Sequence, residues 1–130
     1  MTEPILLDTN VLIRILNDDP QLSGTIRKAI SQHSARIHLS VVNAWEITIK
    51  HRNGKLSFAV PLEDVLATIL DGAVWPVLQV TPGHIRELSK LPLVHRDPFD
   101  RILVAQARAE GMILATSDAE MTRYGIRVIT

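Results

Sequence analysis

The sequence predicts a three-layer α/β/α fold on a mainly parallel sheet of about four to five strands. Short runs rich in Ile, Leu and Val recur without polar alternation, as strands buried on both faces require. Longer stretches with helical spacing separate them, and strand–helix alternation of this kind builds parallel sheets. Acidic residues fall where the apolar runs end or the helices begin, which in an open parallel sheet is the edge where sites form.

Ile5–Leu7 is the first strand, and a helix over Asn10–Asn17 follows it directly. Asp19-Pro20 marks the start of a second helix, Gln21–His33. Ile37–Ser40 is the next strand and leads into Val41–Arg52, which Asn53-Gly54 terminates. Asn53–Pro61 is the best candidate for a mobile loop, and Leu62–Leu70 is a helix ending before Gly72. Leu78–Thr81 is the third strand; Thr81 caps a helix over Pro82–Leu91 that has proline in its first position. Pro98–Glu110 is the clearest helix, with Phe99, Ile102, Leu103 and Gln106-Ala107 at helical spacing and Gly111 after it. Met112–Thr116 and Arg127–Ile129 are the last strands, with a short helix at Ala119–Tyr124 between them.

A length of 130 residues suits one domain, 1–130, and not comfortably two. The chain carries 14 basic and 14 acidic side chains, a balance that excludes a strongly basic nucleic-acid coat but not a basic rim around an acidic pocket. Aromatic residues are only 4%, which argues against a base-stacking platform, so Trp45 and Trp75 read as core or interface residues. The absence of cysteine excludes thiolate metal sites and thiol catalysis. No run approaches the ~18 apolar residues of a membrane span. Glu3, Asp8, Asn10 and Arg14 interrupt the apolar N-terminal stretch and break a signal-peptide reading, so a soluble cytoplasmic protein is expected.

The acidic residues at issue are Asp8, Glu46, Asp97, Asp100 and Asp118. Asp8 reads equally as a helix cap and as a ligand whose direction the strand end fixes. Glu46 belongs to a polar stripe, Asn43, Glu46 and Lys50, opposite an apolar side of Val42, Trp45 and Ile49; a surface Glu46–Lys50 pair is the plain alternative to a site role. Asp97-Pro98 is a cap followed by proline, which accounts for Asp97 structurally. Asp100, in the first helical turn, gains only a mild benefit from the helix dipole and is left over for a site. Asp118 again reads as cap or ligand, with Thr116 or Ser117 placed to orient a carboxylate or water. Carboxylates gathered at one sheet edge repel one another unless a hard cation joins them. Oxygen ligands alone suit Mg²⁺ or Mn²⁺ rather than zinc.

Ile5-Leu6-Leu7-Asp8-Thr9-Asn10, Leu39-Ser40 leading to Trp45-Glu46, His95-Arg96-Asp97-Pro98-Phe99-Asp100-Arg101, Ala105-Gln106-Ala107 and Leu114-Ala115-Thr116-Ser117-Asp118 occur in that order. Together they resemble the PIN-domain family, most closely the VapC-like toxins of bacterial and archaeal toxin–antitoxin pairs. The resemblance spans essentially the whole chain, and the middle motif is its most specific part. It implies a PIN-like fold and metal-dependent hydrolysis of RNA. Asp8, Glu46, Asp100 and Asp118 match the family's acidic metal-site positions. Asp97 resembles an additional acid of one branch, and Asn10 and Thr116 are supporting partners. The resemblance further implies a homodimer and a VapB-like antitoxin that blocks the pocket. Lys50, Lys55, Arg96 and Arg101 flank the motifs and are candidates for contacting the RNA backbone, each with an ordinary solvated charge as the alternative. A non-catalytic interaction module on the same fold is the competing reading. A Mg²⁺-dependent phosphoryl-transfer domain fits less well: Asn10 stands where a second Asp is expected, no lysine follows a late strand near Asp118, and Glu46 is left without a role.

Overall fold

The computed structural model describes residues 3–130. Its strands are β1 (Ile5–Leu7), β2 (Ile37–Ser40), β3 (Val77–Leu78), β4 (Ile113–Ala115) and β5 (Val128–Ile129). They form one five-stranded sheet in the order β3-β2-β1-β4-β5, and every pairing is parallel. The helices are α1 (Thr9–Leu16), α2 (Gly24–Gln32), α3 (Val41–Arg52), α4 (Leu62–Leu70), α5 (Pro82–Leu88) and α6 (Pro98–Glu110). Short 3-10 turns cover Ser34–Arg36 and Ala119–Tyr124.

Neighbouring side chains on a strand point to opposite faces. Ile5 and Leu7 therefore pack with Val11, Leu12, Ile26, Ile37, Leu39 and Ile69 on one face of the sheet. Leu6 packs on the other, with Leu103, Val104, Leu114 and Tyr124. Both faces are covered, which is why β1 reads as an unbroken apolar run.

Several boundaries differ from expectation for identifiable reasons. Asp19 accepts a bond from the Gln21 amide at 2.8 Å and makes a turn, so α2 starts later, at Gly24, capped by Ser23. β3 stops at Leu78 rather than Thr81, because Gln79 and Val80 run exposed along the edge and Thr81 is taken up as the cap of α5. α5 ends at Leu88 rather than Leu91. The connection after α3 is irregular as expected, but Leu56 and Phe58 anchor it against the core.

α3 is turned relative to the face its sequence suggests. Trp45 and Ile49, expected on the apolar side, are 57% and 38% exposed. Asn43 and Glu46, expected on a polar outer stripe, are buried. Trp75 does pack against the core, its indole N–H donating to the Ser34 hydroxyl at 3.2 Å. The turn of α3 follows from hydrogen bonding. The Asn43 side-chain oxygen accepts from the Ser40 amide at 2.8 Å, and its nitrogen donates to the Leu7 carbonyl at 3.2 Å and the Thr9 hydroxyl at 3.1 Å. One buried amide thus ties α3 to the end of β1, and satisfying it outweighs placing an indole in the core.

Asn43→Ala leaves a buried amide, a carbonyl and a hydroxyl without partners, so it should lower the unfolding free energy by about 2–4 kcal/mol. Urea unfolding of the variant beside wild type measures this.

Candidate metal centre

β1 and β4 lie side by side where the strand order reverses direction, the position at which open α/β sheets form a crevice. Asp8 ends β1 there and is buried. Its Oδ1 accepts from the Val11 amide at 2.9 Å, and its Oδ2 accepts from the Thr116 hydroxyl at 2.5 Å. Asp8 is therefore a helix cap and also a carboxylate sunk into the crevice. Burial pushes its pKa up; bonds from Thr116 and Val11 oppose the rise, the Glu46 charge adds to it and Lys50 counters it.

Glu46 reaches the same place from α3 and is only 3% exposed. Its Oε2 pairs with the Lys50 ammonium at 2.8 Å. Its Oε1 is buried without any hydrogen-bond partner, alone in this among the described residues. Lys50 also approaches the Asn10 side-chain oxygen at 3.4 Å, so the i,i+4 pair exists but closes one wall of the crevice instead of decorating the surface.

α6 brings the third carboxylate. Asp97 caps the helix through its Oδ1, which accepts from the Phe99 amide at 2.8 Å and the Asp100 amide at 3.4 Å. Asp100 is half-buried, and its pKa is pushed up to about 6 by burial first and then by the charges of Asp97, Glu46 and Asp8, with His95 pulling the other way. Asp8, Glu46 and Asp100, drawn from β1, α3 and α6, thus lie close enough that the Glu46 charge disfavours ionisation of both aspartates.

Asp118 is reached one link further on. The Thr116 hydroxyl that donates to Asp8 accepts the Asp118 amide at 3.1 Å. The Asp118 Oδ1 accepts from the Glu120 amide at 2.9 Å, and its Oδ2 lies 2.7 Å from His95 Nε2. His95 in turn contacts the Tyr124 hydroxyl through Nδ1 and through its backbone amide, both at 2.9 Å. His95, Asp118 and Glu120 place possible ligand atoms within 4.8 Å of one another, which the His95–Asp118 bond brings about.

Among the cationic candidates, Lys50, Lys55 and Arg96 line one open groove together with Glu46, Asp97 and Phe99. Arg101 is elsewhere: its guanidinium donates to the Pro92 carbonyl at 2.9 Å. Sequence reasoning put Asn43 on an outer polar stripe, read His95 as a surface residue or an RNA contact, and gave Tyr124 no role. The first carried a hint, three residues after a cap serine; the other two become visible only when Asp118 is seen beside them.

Asp8, Glu46 and Asp100 offer only oxygen donors, one of them an orphaned carboxylate oxygen, and such a set would suit a hard divalent cation, although among the described residues only His95, Asp118 and Glu120 bring ligand atoms within 4.8 Å of one another.

The PIN domain family matches residues 5–126, and the chain belongs to that family. No curated protein sequence is significantly similar to it. Among solved structures it is similar to a chain of VapBC2 from Rickettsia felis bound to a promoter DNA fragment, at TM-score 0.72 and 13% identity over 96% of each chain. It is similar to VapC20 from Mycobacterium tuberculosis, a toxin that cleaves the sarcin-ricin loop, at TM-score 0.70 and 18% identity over 94% of this chain and 95% of that one. A third likeness is to FitAcB from Neisseria gonorrhoeae, at TM-score 0.69 and 18% identity over 97% of this chain and 96% of that one.

The raised acids make stability fall as pH rises. Folded Asp100 holds its proton up to about 6, whereas the unfolded side chain releases it near 3.8, so between those values the folded state binds more protons. Its contribution is fully present below the lower value and lost above the upper one; Asp8 acts in the same direction. In EDTA, Asp100→Asn should raise the thermal midpoint at pH 7 and flatten its dependence between pH 4 and 6. Saturating Mn²⁺ should raise the wild-type midpoint at pH 7, and an unchanged midpoint would count against a cation site.

Proposed function

We propose that the chain is a metal-dependent endoribonuclease and the toxin of a toxin–antitoxin pair. The observation that carries the reading is the Glu46 Oε1, a buried carboxylate oxygen with no partner, set beside Asp8 and Asp100 whose ionisation its charge disfavours. Asp8, Asp100 and Asp118 would hold Mg²⁺ or Mn²⁺, with Glu46 binding directly or through a water. Bound there, the ion supplies a water of lowered pKa and neutralises charge on the scissile phosphate.

The chain's own side chains do the rest. Thr116 and the Val11 amide fix the direction of Asp8, and Asn43 holds the β1 end that carries it. Glu46 would orient the attacking water. Lys50, Lys55 and Arg96 offer a cationic path for the polyanion along the groove into an otherwise acidic site. Asn10 supports through its contact with Lys50, and Asp97 through capping α6.

VapB-like antitoxin and homodimer are the partners this reading adds. The solved VapBC2 complex supports the first. An exposed apolar hollow lined by Trp45, Val80, Ile85, Phe99 and Ile102, with Trp45 and Phe99 edge to face at 5.0 Å, supports the second. No helix among the described residues is long and apolar enough to cross a membrane.

The test is cleavage of a defined set of RNAs by wild type, Asp8→Ala and Asp100→Asn, in Mn²⁺ and in EDTA. Wild type should cut only with Mn²⁺, and Asp100→Asn should lose about 10²–10³-fold, the scale of removing one electrostatic contact from an active site. Cleavage that persists in EDTA, or in Asp100→Asn, would sink the assignment.

A further inference from the structure

We propose that His95 is a positioning residue for the acidic site: it sets the direction of the Asp118 carboxylate through the bond from its Nε2–H to Oδ2. The proposal rests on the nuclease reading above, in which Asp118 is a metal ligand.

An aspartate just past a strand end has two free side-chain torsions, and the Asp118 side chain is 42% exposed, so packing does not fix it. Two donors do. The Glu120 amide holds Oδ1 and His95 holds Oδ2, at 2.7 Å. His95 is itself locked. Its side chain is 14% exposed, and its ring stacks on Tyr124 with centroids 5.5 Å apart and planes 24° from parallel. The Tyr124 hydroxyl accepts the His95 backbone N–H and lies 2.9 Å from Nδ1. A carboxylate only accepts, so it is the His95 Nε2–H that points at Asp118. The result is an unbroken line of bonds, Tyr124–His95–Asp118–Thr116–Asp8, joining the outer wall of the site to the buried Asp8.

A bond to a carboxylate this exposed contributes little to stability. Holding a ligating carboxylate in one direction is what donors behind a metal ligand do, and their loss weakens metal binding.

Mn²⁺ affinity of the full chain, measured by calorimetry, tests this without reference to activity. His95→Phe keeps the stack on Tyr124 and removes both ring nitrogens. It should bind Mn²⁺ about 10–100-fold more weakly, with the thermal midpoint in EDTA little changed. His95→Gln, which restores a donor, should recover most of the affinity, and Glu120→Gln should bind as wild type. Wild-type affinity in His95→Phe, or no recovery in His95→Gln, overturns the proposal. So does an equal loss in Glu120→Gln, because His95 would then be a ligand in a separate site. If His95→Phe does not fold, Tyr124→Phe carries the test: it unlocks the ring, a smaller loss of affinity is expected, and an unchanged affinity overturns the proposal. Wild type that binds no Mn²⁺ overturns the metal-centre reading itself, an outcome distinct from all of these.

Discussion

Asp8 carries a carboxylate nearly out of water at the middle of the sheet edge, and much of the surrounding structure follows from the cost of doing so. Its two oxygens need partners, and they come from the first turn of α1 and from the end of β4. That pair of bonds requires β1 and β4 to end level with each other, as their register, Leu7 opposite Ala115, arranges. Glu46 is buried beside it, where its charge disfavours ionisation of Asp8, and Lys50 one turn along compensates one of the Glu46 oxygens. The other oxygen stays unsatisfied, so the fold holds an acceptor in excess of the partners its own side chains supply.

A structure that stores such an excess needs rigid supports, and they are polar and buried. Asn43 binds the end of β1 to the start of α3. On the other side of α3, the Ser40 hydroxyl donates to Gln106 at 2.7 Å, and the Gln106 nitrogen approaches the Gln79 carbonyl and His84 Nδ1. His84 is fully buried; its Nδ1 accepts the Thr81 amide, so its proton lies on Nε2 and goes to Glu110. Two networks therefore brace the helices that carry Glu46 and Asp100. Each satisfies its members, the condition under which buried polar groups rigidify a fold instead of weakening it.

The site faces outward into a groove whose walls have opposite character. Lys50, Lys55 and Arg96 supply cations beside Glu46 and Asp97, while Trp45 and Phe99 begin an apolar hollow next to it. Acid within, base at the rim and an apolar shelf alongside stand at the same mouth. Occupation of the hollow and access to the acids are thus physically adjacent.

The chain's local chemistry settled a good deal by itself. Doubly buried strands must be apolar without alternation, and caps and glycines must stand at helix ends, so the parallel α/β order and most of α1, α3, α4 and α6 were legible, including Asp97 as a cap and Gly111 in the left-handed turn that closes α6. Asp8 at a strand end and Asp100 in the first turn of α6 were expected from the same logic, whereas Glu46 was tied to them by family resemblance alone. The rotation of α3 was not expected: hydrophobic periodicity placed Trp45 inward, whereas the Leu7 carbonyl and the Thr9 hydroxyl, far away in sequence, give Asn43 a reason to be buried. The start of α2 was misread for a related reason, since Asp19 can cap a helix or close a turn and its neighbours decide between them. The union of Asp118 with His95 and Tyr124 was likewise decided in three dimensions, because hydrogen bonds between segments have no local signature. Periodicity and capping are short-range physics and are written into the sequence; the partner of a buried polar group is fixed by which chain ends meet at the sheet edge.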